Sequence, residues 1–351
     1  MNNSYLNTFV NYMLMLQKPI TWCERYRPKT VDDLGQQDNI KAISDHARKY
    51  GTMPHMLLYG PAGVGKTSTA KAICKQYYWD SNKTIIENDE IYNERVMELN
   101  ASDERGIQYV RDEIKTFAQS AITIRKGIPD FKIIILDESD AMTDDSQFAL
   151  RRVLENYSET TRFIMICNYV SKIIQPITSR TMKIRYKAIT LPVMESMIDR
   201  IVKKEKISVS KEFIEELRKI TKGDMRKSIN LLEYVHYFYG KFDINNLREC
   251  AGLIKLSFLN HILNTITNPK VTASQLLSLL NEFKNESYSS LILIDNIFNH
   301  IMELNIKDKV KSKIVKEIAK TDKALNSNSD ETVQLFHVFM TVNNELTNAR
   351  K

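Results

Sequence analysis

The chain has 351 residues, 43% of them hydrophobic, enough for two or three cored domains rather than a single compact unit. Its 50 Lys and Arg against 43 Asp and Glu leave a formal charge of +7, a mild excess that permits a polyanionic partner without demanding one. Cys23, Cys74, Cys167 and Cys250 form no Cys-x-x-Cys pair and the 6 histidines show no ligand spacing, so neither a disulfide framework nor a zinc ribbon is indicated, no protein-only metal site is expected, and a reducing, intracellular setting fits best.

Residues 1–20 read as an N-terminal extension. Their apolar run Phe9–Leu16 lacks a basic start and is too short to cross a bilayer, so no membrane is expected. A helix is expected over 36–50. Met56–Tyr59 is then a short apolar strand that runs into Gly60-Pro61-Ala62-Gly63-Val64-Gly65-Lys66-Thr67-Ser68 and a helix. Between Tyr78 and Arg95, the polar Asp80–Lys83 with Glu87–Glu90 after it reads as a surface insertion. Further strands are expected at Val96–Leu99, Lys132–Leu136, Arg162–Cys167 and Met182–Tyr186, separated by helical patterns over 106–121 and 144–157. Such alternation predicts an α/β fold, a parallel sheet with helices on both faces.

After Pro192 the pattern turns helical, through Met194–Lys204, Lys211–Ile220 and Met225–Tyr237, and predicts a small helical domain. Gly240 and Asp243 punctuate a boundary. Beyond it, amphipathic runs such as Leu291–Phe298 predict a third, all-helical domain with a loop at Asn326–Asp330. The expected divisions are 1–20, 21–189, 190–240 and 241–351.

Gly60-x-x-x-x-Gly65-Lys66-Thr67 is a full P-loop pattern, with the strand before it and the helix after it that such a match requires. Backbone N–H groups at Gly63 to Lys66 and the helix dipole suit phosphate oxygens, Lys66 the β and γ oxygens, and the Thr67 hydroxyl a Mg²⁺ ion. Lys132–Leu136 ends in Asp137-Glu138, which places one carboxylate near the metal shell and a second as candidate general base for water. Asn168, at the tip of the next strand, either bonds the γ-phosphate or the lytic water, or only turns the chain. Arg226, at a helix start after Gly223-Asp224-Met225, either folds over the phosphates or is solvated. Arg180 in Ile177-Thr178-Ser179-Arg180-Thr181 is a similar choice: a lone solvated cation, or one that reaches another subunit's nucleotide.

Several stretches from Trp22 to about Tyr237 are similar to one family. They are Glu24–Thr30, Met53–Pro61, Leu99–Ile107, Leu136–Glu138, Gln147–Arg152, Arg162–Asn168, Ser171–Ile174, Ser179-Arg180 and Gly223–Arg226. The chain resembles the small subunits of replication factor C, the clamp loaders among the AAA+ ATPases. That likeness implies an AAA+ sheet domain, a helical lid and a helical collar. It implies ATP and Mg²⁺ as cofactors, with Thr67 and Asp137 on the metal. Lys66 and Thr67 become the Walker A pair, Asp137 and Glu138 the Walker B pair, Asn168 the first sensor and Arg226 the second. Arg25, Tyr26 and Arg27 become candidate base or phosphate contacts, and Arg180 an arginine finger that completes a neighbour's site. The helix over 106–121 presents Ile107, Val110, Ile114, Phe117, Ala118 and Ala121 on its apolar face. By the same likeness, Arg105, Arg111 and Lys115 become contacts to DNA phosphates rather than a merely solvated face, and Arg151 and Arg152 candidates for contacts between subunits.

The implied partners are other clamp-loader subunits in a hetero-pentamer, a ring-shaped sliding clamp and primer-template DNA. The implied location is the nucleus of a eukaryote, or the replication compartment of a large DNA virus. The family usually has Pro, Ala and Cys where this chain has Ala62, Ser139 and Thr181. Two rival readings follow from the same residues: another AAA+ remodelling ATPase such as a Holliday-junction helicase or helicase loader, and a subunit that binds ATP without turning it over. Intact Glu138 and Arg180 argue against the second.

Overall fold

Five short apolar runs pair as one parallel sheet: β1 (Met56–Tyr59), β2 (Val96–Asn100), β3 (Lys132–Asp137), β4 (Thr161–Cys167) and β5 (Met182–Arg185), in the order β2-β3-β4-β1-β5. The computed structural model describes residues 20–34, 40, 42–43, 50–78, 85–102, 107–125 and 128–350. The expected extension and most of the helix expected over 36–50 lie outside them. β3 and β4 sit inside the sheet and are buried nearly throughout, as continuous Ile and Leu runs covered on both faces should be. The edge strands β2 and β5 instead expose or half-expose most of their residues, and charged side chains such as Lys183 and Arg185 blunt an otherwise open edge.

Helices cover the sheet. α1 (Trp22–Arg25) is a short strap; α2 (Lys66–Tyr78), α3 (Ile85–Arg95), α4 (Ile107–Gln119), α5 (Asp144–Asn156) and the single turn α6 (Gln175–Thr178) follow in chain order. Ile114 of α4 and Leu150, Val153 and Leu154 of α5 pack with Leu57, Ile134, Leu136, Phe163 and Met165 in one buried cluster. Because successive strand residues face opposite sides, Ile133 and Ile135 turn to the other face, where α2 packs on β3 and β4. Ala121, expected on the apolar face of α4, lies past the end of the helix and is exposed.

The surface insertion expected before Arg95 is corrected in its second half. Glu87–Glu90 lie in α3, where Asn88 and Ile91 are buried. The anchor is Arg95, whose side chain is fully buried and donates to the carbonyls of Pro129, at 3.2 Å, and of Thr123. A polar composition hid this helix, since its hold on the fold comes from a buried cation capping distant carbonyls rather than from an apolar stripe. Residues 79–84, which include Asp80–Lys83, lie outside the described residues.

Three helices complete the first unit and lead into the second: α7 (Leu191–Glu205), α8 (Lys211–Thr221) and α9 (Met225–Tyr239). Ser210 caps α8 by accepting the Phe213 N–H at 3.2 Å, and Lys206 and Lys222 end α7 and α8 in the left-handed conformation. The chain divides into two compact units, residues 1–233 and 234–351, so the division falls within α9. The second unit holds α10 (Ile244–Cys250), α11 (Leu256–Thr267), α12 (Ala273–Asn285), α13 (Ser290–Glu303), α14 (Asp308–Asn326) and α15 (Glu331–Arg350). Its core is almost wholly aliphatic, including Ile262, Ile266, Leu280, Leu293, Ile297, Ile314 and Val342. One polar clasp, Asn343 of α15, donates to the carbonyls of Ile266 and Asn268 at 3.0 and 2.7 Å and closes the end of α11. Among the described residues no helix is long and apolar enough to cross a membrane.

Candidate active site

In a parallel sheet the carboxyl ends of the strands open on one edge, and the registers here bring three of them together. Tyr59 of β1 lies opposite Cys167 of β4, and Met165 of β4 opposite Leu136 of β3, so Gly60, Asp137 and Asn168 emerge side by side. The loop after β1 can take this path only with glycine at two points. At Gly60 (φ +147°) a Cβ would lie 2.3 Å from the Tyr186 carbonyl oxygen, and at Gly63 (φ +67°) 1.7 Å from the Asp224 carboxylate. Gly63 also accepts the Met225 N–H at 3.0 Å, so the loop is fastened directly to the start of α9.

Lys66 opens α2. Its Nζ donates to the carbonyls of Gly60 and Pro61 at 2.8 and 2.6 Å and to Asn168 Oδ1 at 2.9 Å, so Lys66 and Asn168, 102 residues apart, share one hydrogen bond. Burial pushes the Lys66 ammonium below the usual lysine range, and the Asp137 carboxylate opposes that shift. The Thr67 hydroxyl donates to Asp137 Oδ2 at 2.7 Å. Asp137 Oδ1 takes the Glu138 N–H at 2.9 Å, which leaves the Glu138 side chain exposed at the rim of the cleft. Glu138 is left-handed (φ +53°), a conformation that costs a non-glycine residue about 1 kcal/mol and recurs at functional turns.

One residue of this edge was not read from the sequence. Asp140 Oδ2 accepts the backbone N–H groups of both Asn168 and Tyr169 at 3.1 Å, so the turn after β3 holds the tip of β4 in place. Its signal was available as a third acid just after Asp137-Glu138, but nothing local says where that acid points. The departures from the family pattern are accommodated nearby. The Ser139 hydroxyl, fully buried, donates to the Leu136 carbonyl at 2.8 Å, and the buried Thr181 hydroxyl to the Ile177 carbonyl at 3.1 Å.

These strand ends, the loop and helices α7 and α9 line one cleft open to solvent. Its walls include Ala62, Val64, Gly65 and Ser68 of the loop, Tyr26, Arg27 and Pro28 of the strap, and Arg226 with Met225 and Ile229 of α9. Cys23 lines it too, unread from the sequence. Its thiol is pushed up by burial, and Arg226 beside it opposes the shift. Arg25 is not among the lining residues. It pairs with Glu205 of α7 at 2.9 Å, and the Tyr26 hydroxyl donates to the same carboxylate oxygen. Arg27 pairs with Glu24 at 2.9 Å, and the Trp22 N–H donates to the buried Glu233 carboxylate at 3.1 and 3.2 Å, which fixes the strap to α9.

Arg180 stands apart from this cleft. It follows α6, is exposed, donates to the Pro176 carbonyl at 2.8 Å and pairs with Glu155 of α5 at 2.7 Å. Of the three residues expected on DNA, Lys115 is exposed on α4 and Arg111 is known only as a backbone position in that helix. Arg105 lies outside the described residues.

A phosphate cradle with a lysine at its centre, a threonine hydroxyl against a strand-end carboxylate, and a second acid at the rim define a P-loop ATPase of the AAA class. The family described as "ATPase family associated with various cellular activities (AAA)" matches residues 56–188, and "Replication factor C C-terminal domain" matches residues 257–341. The chain is 37% identical to replication factor C subunit 4 of Homo sapiens over 94% of its length and 90% of that protein. With replication factor C small subunit 1 of Pyrobaculum arsenaticum it shares 35% identity over 90% and 92% of the two chains. Among solved structures, the Thermotoga maritima RuvB Holliday junction branch migration motor is similar with a TM-score of 0.50, at 17% identity, covering 69% of this chain and 80% of that one. That last likeness concerns the fold alone. The protein belongs to the replication factor C family, and its AAA domain is an ATPase.

Proposed function

We propose that the chain works as a small subunit of a clamp loader, which uses ATP binding and hydrolysis to open a ring-shaped sliding clamp and set it on primer-template DNA during DNA replication. The observation that carries this is the contact set Lys66–Asn168 and Thr67–Asp137, which gathers four polar groups from three separate segments of the chain at one glycine loop. The rival helicase reading has weaker support, because a likeness at 17% identity speaks only for a shared architecture.

ATP is the nucleotide we assign to the cleft, and its triphosphate belongs at the loop. Backbone N–H groups at Gly63 to Lys66 and the start of α2 would face the phosphate oxygens, and Lys66 would exchange its carbonyl partners for them. Thr67 and Asp137 fit a Mg²⁺ ion, since a hydroxyl and a carboxylate oxygen 2.7 Å apart at the mouth of the loop are the hard donors that ion takes alongside phosphate. Bound there, the ion would neutralise charge on the phosphates as the terminal bond breaks. Glu138 draws the proton from the attacking water, and Asn168 orients that water or the γ-phosphate from the tip of β4. Tyr26, Arg27 and Arg226 close on the base and phosphates from the strap and lid. Arg25 we keep as a second-rank contact, because its present partner is Glu205.

Arg180 we assign to the next subunit's nucleotide. A guanidinium lent in trans stabilises transition-state charge and can raise the rate by about a thousandfold or more. Hydrolysis is then conditional on assembly, with residues 190–240 serving as lid and residues 241–351 forming the collar of a hetero-pentamer. Arg105, Arg111 and Lys115 contact DNA phosphates without reading sequence. The work is intracellular, wherever the cell or virus replicates its DNA.

The test is to co-purify the assembly through a tag on this chain and measure ATP turnover with and without the sliding clamp and primed DNA. Stimulation by the two together is expected. Strand separation driven by ATP without a clamp would overturn the reading, and turnover untouched by Glu138→Gln would revive the non-hydrolysing one.

A further inference from the structure

We propose that Glu155 is a positioning residue for Arg180, holding its guanidinium ready at the subunit edge for the neighbour's phosphate. The inference rests on the assignment of Arg180 to that phosphate and adds the group that prepares it.

Two short contacts, beside a longer one of 3.4 Å to the neighbouring Ser179 hydroxyl, define how Arg180 stands. Its Nη1 donates to the Pro176 carbonyl at 2.8 Å, and its Nη2 meets Glu155 Oε1 at 2.7 Å. The same carboxylate oxygen takes Nε of Arg151 at 3.0 Å, one turn earlier on α5. That helix is a firm mount, because Leu150, Val153 and Leu154 on its inner face are buried in the sheet core. The carboxylate therefore stands at a fixed place, and a long, rotamer-rich side chain from a different segment is drawn to it.

As a stabilising element the pair does little. The Arg180 and Glu155 side chains are 38% and 36% exposed, and ion pairs at that exposure contribute little to folding. Weak pairing is what an exchangeable rest position needs. A phosphate offers a guanidinium a stronger, two-pronged partner than a solvated carboxylate does, so Arg180 can transfer without a large penalty. What Glu155 supplies is order in advance, since an arginine already confined to one orientation loses less freedom when the phosphate arrives. One carboxylate shared by two guanidiniums also leaves the cluster net positive, so the edge still attracts an anion. Arg151, by hydrogen bonding, and Arg180 keep the Glu155 carboxyl below the usual range, so the cluster holds its negative member at neutral pH.

The experiment uses the intact assembly rebuilt with Glu155→Ala, Glu155→Gln, Arg180→Ala and the Glu155→Ala/Arg180→Ala double variant, with turnover measured across ATP concentrations in the presence of primed DNA. Arg180→Ala should lower kcat by about tenfold or more. Glu155→Ala should lower kcat by about threefold with KM for ATP unchanged, and should add nothing when Arg180 is already Ala. Glu155→Gln, whose amide oxygen still accepts from both guanidiniums, should recover at least half of that loss. A merely structural role would give equal losses in both backgrounds. Equal losses, unchanged turnover or faster turnover in Glu155→Ala would each overturn the proposal while the role of Arg180 stands. If Arg180→Ala itself leaves turnover unchanged, the assignment of Arg180 fails and this inference with it. Should Glu155→Ala not assemble, Glu155→Asp, one methylene too short to reach, supplies the same comparison.

Discussion

The cleft at the ends of β1, β3 and β4 and the turn that carries Arg180 treat a cation in opposite ways. Lys66 is buried and surrounded by neutral acceptors, two carbonyls and an amide, that any incoming phosphate oxygen can replace. Arg180 stays in solvent and rests on a carboxylate, an opposite charge that a phosphate must outcompete. The first arrangement fixes a charge by burial and suits a group that always serves its own site. The second keeps a charge available at an edge and suits a group that serves another site only when one is present. On the assignment of Arg180 proposed above, one chain holds the nucleotide and breaking it takes two.

The sharpest way to break that contrast is Lys66→Ala. Removing the charge at the centre of the cradle should weaken nucleotide binding by about a hundredfold or more, read by titration of a fluorescent ATP analogue. Retained binding would mean the loop is not the phosphate site. Glu138→Gln should separate binding from chemistry. Nucleotide affinity should persist while turnover of the assembly falls on the order of a hundredfold, and an equal loss of both would place Glu138 in binding instead.

Asp140 extends the comparison to a residue that works only by holding another. Asp140→Ala should lower kcat about tenfold with less than about a twofold change in nucleotide affinity, because Asn168 loses its fixed tip while the cradle is intact. Asp140→Asn, which keeps an acceptor for both N–H groups, should lie close to the parent protein.

A smaller effect tests the sheet beneath the cleft. His55 accepts the Phe163 N–H through Nδ1 at 3.1 Å, and burial, with the Arg162 guanidinium beside it, lowers its pKa to about 4. The unfolded chain takes up that proton near the ordinary histidine value and the folded chain only at the lower one. Stability should therefore fall as pH drops from about 6.5 towards 4, by about 1 kcal/mol after allowing for partial exposure. His55→Gln, which cannot titrate, should flatten that part of the thermal-denaturation profile. Arg25→Ala should do least. With its guanidinium on Glu205 at the solvent edge, nucleotide affinity should change by less than about threefold. A larger loss would bring Arg25 into the cleft after all.

Much of the site was legible because its parts are local. A strand that ends in glycines and a lysine, or in two carboxylates, announces its chemistry within ten residues, and the P-loop, Asp137, Glu138 and Asn168 all emerge on the same edge of the sheet. What was missed is non-local. Asp140 meets the backbone 28 and 29 residues on, and Arg25 meets Glu205 across 180 residues. No periodicity or motif encodes such a meeting. Helix α3 was hidden for a related reason, because its anchor Arg95 is satisfied by carbonyls 28 and 34 residues away.

Apart from α3, composition and hydrophobic period were enough to determine the alternation of strands and helices, the parallel sheet and the helical remainder, since those follow from which residues must leave water along a single segment. The order β2-β3-β4-β1-β5, and with it the meeting of Lys66 with Asn168 and Thr67 with Asp137, was settled by tertiary packing. So was the resting partner of Arg180, which local sequence leaves as a lone cation in a turn and the packed α5 turns into one member of a shared ion pair. The physical reason is that side-chain electrostatics act across space at a few ångströms, whereas the chain records only separation along itself.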